Sequence, residues 1–242
     1  MQKVELHTKV CSEQVSPAFG NTLLGAVPSV VYNEDCVEGL KRFSDNHFDL
    51  AIVDPPYGIG VDGAIHIRKP DRPSTWDMVE KYDRKDWDNE IPKAEYWEQL
   101  FRVSKNQIVW GGNYFTEYLK PSKCWIFWDK QFDKTFNFSH GELAWTSFNK
   151  QLLKVTKSSK AETNGGKDRI HPTQKPVYIY DWLLNNFKEE SLNVLDTHVG
   201  SGSSRIACHK AGIQFTGFEI DKDYYEAQEK RFKDFVSQLR MF

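Results

Sequence analysis

The residues with the clearest chemical potential form the turn Asp54-Pro55-Pro56-Tyr57, which directly follows the apolar run 48–53. Both prolines have a fixed φ angle and lack an N–H, so the turn is stiff and no local helix consumes its carbonyls. The Asp54 carboxylate and a proline carbonyl then form a rigid pair of acceptors at the carboxyl end of a strand, where open α/β sheets bind ligands. This pair suits an exocyclic amine on a planar ring, with Tyr57 stacked on the ring face. A proline turn that only ends the strand is the alternative.

A second candidate site is the glycine-rich segment 197–204, which follows Asp196 and precedes a predicted helix. A strand, a glycine loop and a helix in this order let a nucleotide approach the backbone closely. The loop lacks the Lys-Ser/Thr pair of a P-loop, which argues against a triphosphate site. Glu219 ends the next predicted strand, about 20 residues further on, where an acid can accept both ribose hydroxyls. We therefore expect a nucleoside-containing ligand, the alternative being a purely structural turn.

Composition limits the class of protein that carries these segments. The chain has 242 residues, of which 39% are hydrophobic and 14% aromatic, which predicts a globular protein and excludes a disordered one. No apolar run reaches the roughly 18 residues that span a bilayer, and no signal-like start is present, so we expect a cytoplasmic protein without membrane association. The four cysteines are far apart and form no CxxC pair, so neither a disulfide framework nor a metal site is expected. The net charge of -2 gives no general attraction to a polyanion, so such a partner must be met locally.

Short β-rich runs alternate with amphipathic stretches after residue 28, which predicts α/β units around a largely parallel sheet. Strands are predicted at 30–32, 48–53, 107–110, 124–128, 142–145, 193–195 and 215–218. Helices are predicted at 35–43, 94–103, 176–187, 203–211 and 222–239. The runs 124–128 and 142–145 are too close for a crossover helix, which predicts an antiparallel pair. The unassigned stretches are an N-terminal arm, 1–28, and two insertions, 58–92 and 147–169.

Together these features resemble the S-adenosylmethionine-dependent DNA amino-methyltransferases, which methylate adenine N6 or cytosine N4. They resemble in particular the permuted β group, in which Asp-Pro-Pro-Tyr precedes the glycine-rich loop. The segments 33–36 (Asn-Glu-Asp-Cys) and 171–176 (His-Pro-Thr-Gln-Lys-Pro) resemble further family elements, and the four occur in the family's order within residues 31–235. The resemblance implies a Rossmann-like methyltransferase fold with circularly permuted order. It has a mostly parallel seven-stranded sheet with one antiparallel strand and helices on both faces, as a single domain over residues 29–242.

The resemblance also implies roles for individual residues. Asp54 and the Pro55 carbonyl would hold the target amine in a turn stiffened by Pro56, and Tyr57 would stack on the base. Around the cofactor, S-adenosylmethionine, one acid would bind the ribose and one lysine would lie near the methionine carboxylate. These two are Glu219 and Lys175, and the other expected cofactor contacts are Asp35, Cys36, Asp54, Asp196, Thr197, His198, Gly200, Ser201, Gly202 and Ser203.

The cofactor loop departs from the family pattern, which usually reads Asp-Pro-Phe and Gly-Ser-Gly-Thr. Here Thr197-His198 replaces Pro-Phe and Ser203 replaces Thr. This indicates a divergent, bacterial or phage-encoded branch. We expect His198 to shape the loop rather than to act as a catalytic base.

The partner implied by the resemblance is DNA with a flipped target base. Residues 147–169 carry six cations and two acids, net +4, and are the predicted target-recognition segment, a solvated surface loop being the alternative. Insertion 58–92 is a predicted lid or DNA-facing loop. Three tryptophans at or near loops are candidate base or DNA contacts, namely Trp76, Trp87 and Trp128. The expected phosphate contacts are Lys150, Lys154, Lys157, Lys160, Lys167 and Arg169.

The predicted activity is methylation of adenine N6 in DNA, in the setting of restriction and modification. The reason is a family tendency that associates Asp at the first catalytic position with adenine and Ser with cytosine. Cytosine N4 methylation, a catalytically impaired DNA- or cofactor-binding relative, and methylation of RNA or of a protein amide stay open as alternatives. The sequence also leaves open the DNA target and the oligomeric state, a homodimer included.

Overall fold

The computed structural model describes residues 27–60, 85, 87–131, 139–158, 169–187 and 192–239. Within these residues, eight strands form one sheet in the order β1-β8-β7-β2-β3-β5-β4-β6. The strands are β1 (Ser29–Tyr32), β2 (Phe48–Val53), β3 (Ser104–Trp110), β4 (Trp125–Asp129), β5 (Gly141–Thr146), β6 (Leu153–Thr156), β7 (Asn193–Asp196) and β8 (Gln214–Phe218). The helices are α1 (Cys36–Leu40), α2 (Ala94–Val103), α3 (Val177–Asn186), α4 (Ser203–Ala211) and α5 (Lys222–Leu239), with a 3-10 turn at Gly112–Tyr114. The predicted strand number, seven, was wrong because β6 lies inside the segment read as an insertion.

Strand β5 runs antiparallel to its neighbours β3 and β4, whereas all the other neighbouring strands are parallel. The predicted antiparallel pair, β4 with β5, is therefore confirmed. The carboxyl ends of the seven other strands share one edge of the sheet, which we call the carboxyl edge. The amino end of β5 lies at the same edge.

Helices cover both faces of the sheet, as predicted. Strand β2 is buried along almost its whole length, as its sequence Phe-Asp-Leu-Ala-Ile-Val requires of a central parallel strand. One core cluster joins the sheet to α3 and α4, and the other joins it to α1 and α2. This central strand is what places the Asp54 turn at the middle of the carboxyl edge.

The ends of the helices follow from local capping. Asp35 caps α1, because its Oδ1 accepts a hydrogen bond from the Glu38 N–H at 3.1 Å. Gly212 ends α4 in the left-handed region at φ +68°, as the sequence predicts. Helix α1 ends at Leu40, three residues before its predicted end. None of the helices in the described part of the chain is long and apolar enough to cross a membrane.

Candidate active site

Four acidic residues follow or end four neighbouring strands at the carboxyl edge. In sheet order, Asp35 follows β1, Glu219 follows β8, Asp196 ends β7 and Asp54 follows β2. Since these strands are parallel, the sheet brings the two candidate sites of the sequence to adjacent positions. The β2 and β7 strands pair directly, with Ala51 opposite Leu195.

The Asp54 carboxylate is held on both of its oxygens. The Tyr57 hydroxyl donates to Oδ1 at 2.6 Å, and the Lys175 ammonium donates to Oδ2 at 2.5 Å. Each carboxylate oxygen has two acceptor positions, so each keeps one for a further donor. The side chain is 19% exposed, so Asp54 is fixed in place and still reachable.

The backbone of the turn is fixed by Asp88, which lies about 30 residues further along the chain. Its Oδ1 accepts hydrogen bonds from the Tyr57 N–H at 2.7 Å and from the Gly58 N–H at 3.0 Å. Asp88 is 3% exposed. Sequence reasoning missed this residue because it is one of several acids in segment 58–92 and no spacing distinguishes it.

The Tyr57 ring sits in a close-fitting aromatic setting. Tyr114 stacks on it at 4.9 Å between ring centroids, and Phe115 meets it edge-on at 6.0 Å. Gly111 lies so close that a Cβ there would be 2.2 Å from Tyr57 Cε1. Burial, with the nearby charges of Asp54 and Glu142, raises the pKa of Tyr57 well above its usual range, so the phenol stays protonated and can donate to Asp54.

Lys175, which the resemblance implies lies near the methionine carboxylate, is bound here by two acidic side chains. Its ammonium lies between Asp54 and Glu142, 3.0 Å from Glu142 Oε2. Burial alone would lower the pKa of Lys175, but the two carboxylates outweigh it and raise the pKa, so the ammonium is charged. Sequence reasoning missed Glu142, for which the only signal was a lone acid in the apolar run Glu-Leu-Ala-Trp.

The glycine loop packs directly against Glu219. The Gly200 N–H donates to Glu219 Oε2 at 2.8 Å, and the Asp221 N–H donates to Oε1 at 2.9 Å. Gly200 and Gly202 have φ values of +51° and +75°, which favour glycine. The predicted glycine loop therefore contacts the acid that follows β8, as a nucleoside site requires.

Asp196 lies at the base of the loop and is 2% exposed. Its Oδ1 accepts from the His198 N–H at 3.0 Å, and its Oδ2 accepts from the Ser204 hydroxyl at 2.5 Å. Burial raises the pKa of Asp196 to about 7, although both hydrogen bonds act against that shift. Asp196 therefore ties the start of the loop to the first turn of α4.

The unusual Thr197-His198 pair joins a hydrogen-bond chain that starts on α2. Tyr96 Oη lies 2.8 Å from Thr197 Oγ1, which lies 2.9 Å from His198 Nδ1. Either oxygen of the Tyr96–Thr197 pair can donate, and Thr197 Oγ1 can donate to or accept from His198 Nδ1, depending on the tautomer of the ring. Burial lowers the pKa of His198 to about 4, which leaves the ring neutral. These contacts support a loop-shaping role.

Cys36, the other residue expected near the cofactor adenine, follows Asp35 at the start of α1. Burial raises the pKa of its thiol to about 12, so it is an unreactive thiol. The two remaining loop serines are bound by Arg231, whose guanidinium donates to the Ser201 carbonyl at 2.7 Å and to Ser203 Oγ at 3.0 Å.

The described cations of the predicted target-recognition segment are spread along β6, the edge strand. Lys150 precedes the strand, at the edge opposite the site, and donates to the Asn186 carbonyl at 3.1 Å. Lys154 pairs with Asp129 at 3.0 Å. Lys157 follows the carboxyl end of β6 and lies over the Tyr178 ring. Lys160 and Lys167 lie outside the described residues, and Arg169 precedes the segment that carries Lys175.

Two of the three candidate tryptophans can be placed. Trp128 is 2% exposed and donates from its Nε1 to the Lys157 carbonyl at 2.9 Å, so it is too deeply buried for its predicted role as a base or DNA contact. Trp87 packs against His171 at 5.4 Å between centroids, beside the glycine loop. Trp76, with most of the predicted lid and N-terminal arm, lies outside the described residues.

The fold and the site define an α/β protein in which a glycine loop and a buried acid lie beside a rigid turn with free acceptor positions. Residues 109–230, half of the chain, match the N6/N4 methyltransferase family, described as DNA methylase. The chain therefore belongs to the N6/N4 DNA methylase family, which confirms the family predicted from the sequence.

The individual relatives are distant from this chain in sequence. The chain is 24% identical to the type II methyltransferases M2.LlaDCHI of Lactococcus lactis subsp. cremoris and M2.DpnII of Streptococcus pneumoniae, over 84% of this chain and 88% of each relative. Its fold is similar to that of M1.HpyAVI in complex with S-adenosylmethionine, with a TM-score of 0.52 and 18% identity over 83% of this chain and 98% of that one. It is also similar to the cytosine-N4-specific PvuII DNA methyltransferase, with a TM-score of 0.52 and 14% identity over 89% of this chain and 95% of that one. These likenesses confirm the predicted Rossmann-like fold.

Proposed function

We propose that this DNA methylase transfers a methyl group from S-adenosylmethionine to N6 of adenine in DNA. The observation that carries the proposal is the Asp54 carboxylate, which is fixed by Tyr57 and Lys175 yet keeps acceptor positions at the carboxyl edge. Asp54 with the Pro55 carbonyl matches the two N–H donors of an exocyclic amine. Asp at this position, rather than Ser, favours adenine over cytosine by the family tendency.

The chemistry of the edge fits the cofactor. S-adenosylmethionine carries a cation at its methyl-donating end and two hydroxyl donors on its ribose, while the acidic side chains of Asp35, Asp54, Asp196 and Glu219 lie at this edge. Gly200 and Gly202 have the positive φ values that the loop needs to turn tightly, and the backbone of this loop is where a nucleoside would approach. When bound, S-adenosylmethionine supplies the activated methyl group.

The residues of this chain then act mainly by positioning. Two hydrogen bonds, to Asp54 and the Pro55 carbonyl, turn the amine so that its lone pair points at the incoming methyl carbon. The nitrogen forms the N–C bond while the C–S electron pair stays on sulfur, and it then loses a proton to Asp54 or water. Asp54 can be a weak base, because the amine becomes acidic only as the methyl arrives.

The base must first leave the duplex, which costs a few kcal/mol. Stacking on an aromatic ring returns about 1–3 kcal/mol of this cost. Tyr57 is the ring beside Asp54, and Tyr114, which stacks on it and is 43% exposed, extends the aromatic surface toward solvent.

The test is to incubate the protein with methyl-labelled cofactor and unmodified genomic DNA, digest the DNA to nucleosides and identify the labelled one. We expect N6-methyladenine. Label in N4-methylcytosine would replace the adenine assignment, and cofactor binding without any transfer would favour the impaired relative. The Asp54→Ala variant is expected to abolish transfer while cofactor binding, measured by calorimetry, persists; retained turnover would remove Asp54 from the mechanism.

A further inference from the structure

Behind the acceptor turn lies a charge triad, which we define as Asp54, Lys175 and Glu142. The Lys175 ammonium is 2.5 Å from Asp54 Oδ2 and 3.0 Å from Glu142 Oε2, and its side chain is only 5% exposed. The Glu142 side chain is 21% exposed. Outside the triad, Lys130 forms an ion pair with the other oxygen of Glu142. Glu142 is on β5, whose antiparallel direction brings its amino end to the carboxyl edge.

A buried ammonium must be paired, and the number of its partners decides how strongly it acts on each of them. With Asp54 as its only carboxylate, Lys175 would cancel most of the negative charge that faces the target amine. That charge matters because the amine nitrogen becomes positive as it accepts the methyl group. Glu142 binds the same ammonium and draws part of its positive charge away from Asp54, while Lys130 pairs with the other oxygen of Glu142.

Glu142 also restricts where the ammonium can lie. The Lys175 ammonium donates to Asp54 Oδ2 and, at 3.4 Å, to the Tyr57 hydroxyl, while Glu142 Oε2, 3.0 Å away, attracts it as a counter-ion without an aligned hydrogen bond. Without Glu142 the ammonium would lose one of these two carboxylate counter-ions in a nearly dry site and would shift toward Asp54. This movement would change the position of the carboxylate that aligns the amine.

We propose that Glu142 is a positioning residue for methyl transfer, which acts by holding Lys175 opposite Asp54 and so fixes the placement and charge of the acceptor carboxylate. The inference rests on the proposed function, because it presupposes that Asp54 accepts the target amine. Glu142 reaches the substrate only through Lys175.

The test compares two variants of nearly unchanged size, Glu142→Gln and Lys130→Gln, in single-turnover methyl transfer at saturating DNA and cofactor. Glu142→Gln is expected to lower the rate about 10- to 100-fold, as a small misplacement of a reacting group does. The dissociation constants of cofactor and DNA are expected to change by less than about 3-fold, which corresponds to well under 1.4 kcal/mol. Lys130→Gln breaks only the outer ion pair of Glu142, so its rate is expected to stay within about 3-fold of the wild type.

A wild-type rate in Glu142→Gln would overturn the proposal, and so would an equal loss in both variants, since that would indicate a loosened β4–β5 pair. If Glu142→Gln does not fold, as judged by circular dichroism and cofactor binding, Glu142→Asp replaces it. Glu142→Asp keeps the carboxylate but moves it one methylene further from Lys175. A rate between wild type and 100-fold lower therefore supports the proposal, and an unchanged rate overturns it.

Failure of the inference can be distinguished from failure of the proposed function. A wild-type protein that methylates no base would refute the proposed function, whereas activity lost in Asp54→Ala but kept in Glu142→Gln refutes only this inference.

Discussion

At the scale of single residues, the site depends on hydrogen bonds between groups far apart in the sequence. Asp54 is bound by Tyr57 from within its own turn but also by Lys175, 121 residues later. Such contacts make the carboxylate rigid before any substrate arrives, which is how positioned acceptors accelerate a reaction. The same principle applies to the backbone of the turn, where Asp88 binds two N–H groups.

We predict that Asp88→Ala destabilises the turn and impairs transfer. The variant leaves the Tyr57 and Gly58 N–H groups without their acceptor, which costs about 1–3 kcal/mol. Urea unfolding should show that loss of free energy of unfolding, and single-turnover transfer should fall by at least about 10-fold, since Tyr57 is no longer held.

The matched control is Asp88→Asn, whose amide keeps one oxygen that can accept both N–H groups. It should retain most of the stability and activity. Equal losses in the two variants would show that the charge of Asp88, rather than its acceptor position, is what the turn requires.

At the scale of elements, the sequence predicted the long, strongly patterned units well. Helices α2, α4 and α5 and strand β2 have their predicted bounds, because a clear apolar stripe or run defines each of them. Strand β6 was missed, because a strand of four residues at the sheet edge shows too little alternation of apolar and polar residues to be recognised among neighbouring lysines. The motifs that end strands could be located from the sequence, whereas the contact of Lys175 with Asp54 and Glu142 could not, because it forms only when segments far apart in the chain come together.

The turn after β3 offers a prediction at this scale. Gly111→Ala is expected to displace the Tyr57 ring, because a Cβ at residue 111 would lie 2.2 Å from Tyr57 Cε1. Besides the backbone penalty at φ +67°, overpacking costs about 1–3 kcal/mol, and transfer should fall about 100-fold. Thermal unfolding and single-turnover rates would measure the two effects.

Gly60→Ala is the matched control, because Gly60 has nearly the same φ, +68°, but no atom of the described residues lies within 4 Å of its Cβ position. It should show only the backbone penalty of about 1–2 kcal/mol, with transfer near the wild-type rate. If the two alanine variants behave alike, backbone strain rather than contact with Tyr57 explains the need for glycine at residue 111.

At the scale of the whole molecule, the net charge of -2 means that DNA must be attracted by one part of the surface. In the proposed mechanism the flipped base arrives at the carboxyl edge, so cations at that edge would contact the neighbouring phosphates. Lys157 lies at this edge, after β6, whereas Lys150 lies before β6 at the opposite edge. Both side chains are exposed, so position and not burial distinguishes them.

We therefore predict that Lys157→Gln weakens DNA binding and that Lys150→Gln does not. Each phosphate contact contributes about 0.9 to the slope of log affinity against log salt, so Lys157→Gln should reduce that slope by about 0.9. Fluorescence anisotropy with one duplex between about 50 and 200 mM salt would measure it. An unchanged slope for Lys157→Gln, or an equal change for Lys150→Gln, would show that DNA does not approach along the carboxyl end of β6.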